Sequence, residues 1–255
     1  MKAKQLKVKV KDIKKVNDNI FLLSISSAYL ASQSRPGQFL HFKIHSTILR
    51  RPLSVHRVKG KEAHVLFKIR GKGTEILSRY KKGEILDVIG PLGNGFFLKK
   101  AAAMETTNIL VAGGIGVAPL MFLAEKLRGE KLVLLGAKTK KEIVCELEFR
   151  RVGCKVSVAT EDGSKGIKGT ATELLRKTLM GSEAGKINIY ACGPQEMLSQ
   201  INNVIDSHPV LECQVSFEQF MGCGLGVCCG CTIETKHGYK KVCKDGPVFN
   251  IKDVW

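Results

Sequence analysis

Along the N-terminal part of the chain, apolar side chains recur at every second position in short runs. Leu6, Val8 and Val10 begin the pattern, and segments 20–25, 39–44, 53–58, 64–69 and 85–89 continue it, with turn-forming residues between them. A period of two lines one face of a strand, so these six segments predict an antiparallel β-barrel over residues 1–102. A single helix, predicted at 74–80 with Thr74 as its N-cap, interrupts them.

After Asn108 the pattern changes. A fully apolar strand at 109–112 runs into Gly113-Gly114-Ile115-Gly116-Val117-Ala118-Pro119 and a helix extending to Arg128. Strands follow at 131–135, 155–159, 186–191 and 211–215, with helical periodicity at 141–150, 172–180 and 195–205 between them. Strand alternating with helix predicts a Rossmann-like parallel α/β nucleotide-binding domain over 103–216. Residues 217–255 remain as a cysteine-rich segment. The fold class expected is therefore β + α/β: an antiparallel barrel, then a wound parallel sheet, then a cluster loop.

The one long uncharged run, 106–124, has the length of a membrane span. It holds Gly113, Gly114, Gly116 and Pro119, so a strand, a tight turn and a helix account for it better. Lys and Arg number 41 against 23 Asp and Glu, a formal charge of +18. Such a surplus suits nucleic acid, an anionic membrane, an acidic partner or phosphate-bearing cofactors, and equally a lysine-rich solvated surface. The lysines are dispersed and few aromatics lie among them, which argues against nucleic acid. Nine cysteines without a signal peptide fit a reducing cytoplasm.

Those cysteines change the picture most. Cys223, Cys228 and Cys231 follow the spacing C-x4-C-x2-C, and Cys243 supplies a fourth thiol. This is the spacing that holds a plant-type [2Fe–2S] cluster, with glycines between the thiols letting backbone N–H groups approach sulfur. Structural zinc draws its four thiols more often from two short pairs. Cys229 adjoins Cys228 and is left out of the ligand set.

Further motifs suit phosphates. Arg51-Pro52-Leu53-Ser54 lies on a barrel strand, where an arginine fork matches a diphosphate and a serine hydroxyl can bond a flavin ring. Gly71-Lys72-Gly73-Thr74 opens a helix, where an anion is favoured. Gly90-Pro91-Leu92-Gly93-Asn94-Gly95-Phe96 reads as a structural turn closing the barrel. Gly113, Gly114 and Gly116 follow a buried strand and start a helix, the context of a phosphate-binding turn, although Pro119 stands where a third glycine is usual. Cys192-Gly193-Pro194 ends a strand at the same sheet edge, with Cys192 either against a nicotinamide or simply a small buried thiol. Thr160-Glu161-Asp162-Gly163 is a pocket wall or a turn, and Lys138, Lys140 and Lys141 are placed where a 2′-phosphate would lie.

In this order, the motifs resemble the ferredoxin-reductase-like flavoproteins, and among them the electron-transfer subunits of dihydroorotate dehydrogenase B. The resemblance covers nearly the whole chain. It implies FAD bound by Arg51, Pro52, Leu53, Ser54, Leu66, Phe67, Lys68, Gly73 and Thr74. It also implies [2Fe–2S] bound by Cys223, Cys228, Cys231 and Cys243, NAD as co-substrate, and an FMN-containing catalytic subunit as partner in a heterotetramer of two plus two. Two departures stand out. Only eleven residues separate Cys231 from Cys243, implying a shortened hairpin around 234–239, and Phe67 and Lys68 replace the common Tyr and Arg.

The combination also makes chemical sense. Nicotinamide exchanges electrons in pairs and an iron–sulfur cluster singly, so a flavin between them is required. His41, His45, His56, His64, His208 and His237 are scattered, and no acid–base constellation for a separate substrate is evident. A second protein must then supply or accept the single electrons, whether it oxidises dihydroorotate or is a ferredoxin or hydrogenase.

Overall fold

The N-terminal alternation forms seven strands rather than six. In the computed structural model, which describes residues 3–98, 106–181, 187–208 and 210–255, they are β1 (Lys4–Lys15), β2 (Ile20–Ser26), β3 (Phe39–Lys43), β4 (Arg51–Ser54), β5 (Arg57–Lys59), β6 (Glu62–Lys68) and β7 (Ile85–Leu92). Helix α1 (Ala28–Gln33) follows β2, and α2 (Lys72–Ser78) follows β6. The sheet is antiparallel in the order β4-β3-β7-β1-β2-β6-β5.

Its two edges, β4 and β5, are consecutive in the chain and joined only by Val55 and His56. So short a link forces the edges together and curls the sheet. Val55 N–H donates to the Gln38 carbonyl at one edge and His56 N–H to the His64 carbonyl at the other. The expected strand at 53–58 is thus two strands with this connector between them. Phe42, Phe67, Leu23, Ile25 and Leu40 fill the interior.

The second sheet comprises β8 (Thr107–Gly113), β9 (Glu130–Ala137), β10 (Lys155–Thr160), β11 (Ile167–Lys168), β12 (Ile187–Cys192) and β13 (Glu212–Ser216). Its connections include α3 (Val117–Lys126), α4 (Glu146–Arg151), α5 (Ala171–Met180) and α6 (Gln195–Asp206). The order β11-β10-β9-β8-β12-β13 is parallel throughout and reverses direction between β8 and β12. An open α/β sheet binds ligands at such a reversal, beyond the carboxyl ends of its strands. Apolar layers cover both faces, one built around Leu110 and Phe149, the other around Ile109 and Leu175.

The helix expected at 141–150 is shorter than its periodicity implied. A 3-10 turn covers Lys140–Glu142, then Ile143 is extended and Val144 non-helical, and Cys145 at φ 65° caps the start of α4. The β-branched pair Ile143 and Val144 disfavours helix where the pattern alone allowed it. The expected boundary at 102/103 and residue 186 of the expected fourth strand lie outside the described residues.

Beyond β13 the chain forms the cysteine loop, a hairpin of β14 (Thr232–Ile233) and β15 (Lys240–Lys241), then β16 (Val248–Asn250) and α7 (Ile251–Val254). The shortened hairpin lies where the reduced spacing placed it, closed by reciprocal bonds between Thr235 and Gly238. β16 returns antiparallel to β13, so the last segment is an edge of the parallel sheet as well as an arm of the cysteine loop. Among the described residues no helix is long and apolar enough to cross a membrane.

Candidate functional site

A cavity of about 920 Å³ opens where the barrel, the start of α3 and the cysteine loop meet. β4 contributes Arg51, Pro52, Leu53 and Ser54; β6 contributes Leu66, Phe67 and Lys68; Gly73 and Thr74 come from α2. Ile115 of the turn after β8 and Ala118 and Pro119 of α3 also line it, as do Gly222 and Gly230 of the cysteine loop. All nine residues implied as FAD contacts are therefore on one cavity, whose size suits a large cofactor.

Arg51 and Gly73 fit each other. A Cβ at position 73 would stand 2.5 Å from Arg51 Nε, so glycine there lets the guanidinium lie against α2 in the position observed, and a larger residue would make it shift. Arg51 Nη1 donates to the Leu49 carbonyl at 2.6 Å, which fixes the fork. Arg50, by contrast, turns away to pair with Asp87 at 2.6 Å. Thr74 is the third residue of α2 rather than its N-cap, which is Gly71. Its hydroxyl accepts from Arg70 N–H at 2.9 Å, so the helix begins one turn earlier than expected and its first N–H groups border the cavity.

The neighbouring strand alternates. Leu66 belongs to the apolar layer shared with the second sheet, whereas Phe67 is buried in the barrel, stacked on Phe21 at 5.9 Å. Lys68 pairs with Glu142 at 2.9 Å, bridging the two sheets. A residue that sequence reasoning missed is Glu218. It is exposed to solvent and borders the cavity; the surrounding walls still desolvate its carboxyl enough to hold it above the ordinary range, with Arg70 pulling the other way. A carboxylate just past the carboxyl end of a strand was the available signal.

Gly113, Gly114, Gly116, Cys192, Gly193 and Pro194 do not line this cavity. They lie together at the ends of β8 and β12, at the reversal of strand order. Three of the glycines sit in close packing: a Cβ on Gly116 would overlap the Cys192 carbonyl, on Gly113 it would stand 2.8 Å from Pro194 Cδ, and on Gly193 it would stand 3.1 Å from the Gly113 backbone. Gly114 differs, with φ 54° and open space before it, so its backbone is the part a phosphate can approach. Cys192 is fully buried; burial drives its thiol well above the usual range, with Glu218 adding to the rise and a bond to Ser216 opposing it. A second opening of about 470 Å³, lined in part by Gln195, Thr232, Glu234 and Trp255, lies at the start of α6 and shares Phe217 and Gln219 with the first. Thr160-Glu161-Asp162-Gly163 forms a self-bonded turn, with Thr160 Oγ1 donating to Lys165 at 2.9 Å.

The four expected cysteine ligands lie in the loop and the hairpin that follows it, and they approach one another in pairs. Cys223 Sγ accepts N–H bonds from Leu225 and Val227 at 3.3 Å and from Cys228 at 3.4 Å. Burial pushes this thiol up, but those N–H groups and the Cys228 thiol outweigh it, leaving it at about 6. Cys243 Sγ accepts from Gly226 N–H at 3.1 Å, and Cys231 Sγ from Cys243 N–H at 3.4 Å. Burial, then the adjoining Cys231 sulfur, raises the Cys243 thiol.

The sulfurs thus form two neighbouring pairs, Cys223 with Cys228 and Cys231 with Cys243. Among the described residues no three His, Cys, Asp or Glu converge as ligands of one ion. Two pairs fed by backbone N–H groups fit a two-iron cluster better than a single zinc. Cys229, exposed and at φ 59°, contributes no sulfur to either pair.

Two further groups hold the loop. Asn94 Nδ2 donates to the Lys244 and Asp245 carbonyls at 3.0 Å each, so the turn read as merely closing the barrel also clamps the segment after Cys243. His41, on β3, is completely buried beneath Gly224. Burial and then the Arg50 cation lower its pKa to about 4, against the opposing Cys223 and Arg50 backbones.

Residues 218–255 match the model of the iron–sulfur cluster binding domain of dihydroorotate dehydrogenase B, and residues 110–203 match that of the oxidoreductase NAD-binding domain. The dihydroorotate dehydrogenase B (NAD(+)) electron transfer subunit of Desulforamulus reducens is 37% identical over 260 residues, covering 97% of each chain. Its counterpart in Geobacillus kaustophilus is 38% identical over 250 residues, covering 94% of each. A solved NADH-dependent reduced ferredoxin–NADP oxidoreductase superposes with a TM-score of 0.86 at 30% identity, over 97% of this chain and 89% of that one. With its cysteine loop returning to an NAD-binding sheet and its similarity running nearly end to end, this chain belongs to the family of dihydroorotate dehydrogenase B (NAD(+)) electron transfer subunits.

Proposed function

We propose that the chain carries electrons between an FMN-containing dihydroorotate dehydrogenase catalytic subunit and NAD, in the cytoplasm, as two copies in a heterotetramer of two plus two. The observation that carries this reading is the shared cavity: the barrel's Arg51 to Ser54 and Gly73-Thr74 form one wall, and Gly222 of the cysteine loop another. A flavin seated there adjoins both the start of α3 and the glycines of the cysteine loop. When bound, FAD supplies the exchange between paired and single electrons.

The chain's residues divide the work by region. Over 1–102, Arg51 and the opening turn of α2 hold the diphosphate, Ser54 meets the flavin ring, and Leu66, Phe67 and Lys68 back it. Over 103–216, the Gly114 backbone receives the nicotinamide nucleotide beside Cys192, Gly193 and Pro194, and the packed glycines keep that edge narrow. Over 217–255, Cys223, Cys228, Cys231 and Cys243 bind the [2Fe–2S] cluster, and N–H bonds to Cys223 and Cys243 stabilise the thiolate form. No nucleic-acid partner is invoked.

Mixing the holoprotein with a candidate FMN subunit and following NADH-dependent reduction of orotate tests the reading. Complex formation with turnover is expected. Efficient ferredoxin reduction with no complex would instead favour a ferredoxin-linked reductase, the reading that the 30% identical oxidoreductase structure supports.

A further inference from the structure

His41 is the buried group that the site leaves unexplained. It lies on β3 between two features already described: its cross-strand partner is Pro52 of the cavity wall, and its ring lies against the cysteine loop. It has no solvent exposure, and neither Nδ1 nor Nε2 makes a hydrogen bond of ordinary geometry, although the Cys223 and Arg50 backbones lie near enough to favour its protonated form. A neutral imidazole carries one N–H donor and one acceptor, and burying both unpaired is costly. Such a residue persists when a further partner completes it.

The direction of the ring identifies that partner. Gly224, at φ 71°, turns the chain between Cys223 and Leu225, and a Cβ there would stand 2.5 Å from His41 Nδ1. This turn aims the N–H groups of Leu225, Val227 and Cys228 at the Cys223 sulfur. Hydrogen bonds to ligand sulfur favour the reduced, more negative cluster.

We propose that His41 is a positioning residue for the iron–sulfur centre, donating its Nδ1–H into the Cys223–Gly224 turn of the loaded protein and thereby raising the reduction potential of the cluster. The inference rests on the [2Fe–2S] reading of the four cysteines. It gives this barrel strand a second role besides walling the flavin cavity.

The test compares anaerobic holoprotein with His41→Leu, which removes the donor, and His41→Asn, whose amide N–H replaces Nδ1. The cluster midpoint is read by EPR-monitored titration. His41→Leu is expected to lower the one-electron reduction constant about tenfold, a fall of about 59 mV, with His41→Asn recovering most of it and the flavin potential unmoved in both. Equal potentials in all three proteins, or equal shifts in the two variants, would overturn the proposal.

Should His41→Leu lose its iron, wild-type protein labelled with 15N-histidine decides the matter. Pulsed EPR of the reduced cluster is expected to show coupling to an imidazole nitrogen that disappears in His41→Asn. A normal cluster signal without that coupling overturns the proposal alone. A wild-type protein with no paramagnetic signal on reduction overturns the cluster reading, and this inference with it.

Discussion

Arg51 and Gly73 act as one device. The arginine was legible as a phosphate fork, but glycine at 73 read only as part of a helix opening; its reason is the guanidinium lying where a side chain would be. Arg51→Met should therefore weaken FAD binding by roughly ten- to a hundredfold, as loss of a charge-assisted hydrogen bond implies, and Gly73→Ala, which only displaces the guanidinium, should weaken it less. Equilibrium dialysis of the flavin measures it.

His56 makes a pH prediction. Its Nδ1 bonds the Ala118 carbonyl at 2.9 Å, and burial lowers its pKa from 6.5 to about 4 despite that bond. Between these values the unfolded chain holds the extra proton, so stability falls as pH drops from 6.5 towards 4. The loss is on the order of 3 kcal/mol, and urea midpoints for His56→Asn should change less over that interval than wild type. His41 was illegible because it is a lone residue whose meaning comes from distant parts of the chain that enclose it, whereas Glu218 had a signal in its place just past a strand end.

Among elements, the strands were the most legible, because alternation states directly which face is buried. The misses have physical causes. α1 is short and begins at Ser27, whose hydroxyl accepts from Leu30 N–H at 3.2 Å, a cap visible in sequence but followed by too few residues to show a period. The cysteine loop was legible as ligand spacing, yet its support was not. Asn94 sits in a turn far away in sequence, and Asn94→Ala removes both side-chain bonds to the segment carrying Cys243. That variant should bind FAD normally but lose iron to a chelator several-fold faster, checked by the decay of visible absorbance. Cys229→Ser, in contrast, should leave iron and sulfide content unchanged, because its thiol joins neither sulfur pair.

At the scale of the molecule, the alternation of patterns gave both sheets but not how they meet. Arg57 with Glu125, Lys68 with Glu142, and Asn17 with the Lys141 carbonyl pin the barrel to the α/β sheet. Arg57 and Glu125 are each partly exposed, so Glu125→Gln should cost only about 1 kcal/mol in denaturant unfolding, and the difference should shrink at high salt. The return of β16 to β13 was equally invisible, since three residues carry no period of their own. It makes the cysteine loop part of the nucleotide sheet and keeps the loop at the flavin cavity.

That arrangement is tested most directly by anaerobic titration of the isolated, cofactor-loaded chain with NADH, following flavin absorbance and low-temperature EPR together. The account predicts that the flavin bleaches and that a reduced [2Fe–2S] signal, lost in Cys223→Ser, appears without any second protein. Bleaching of the flavin with no such signal, in protein that retains its iron, sulfide and all four thiols, would contradict it.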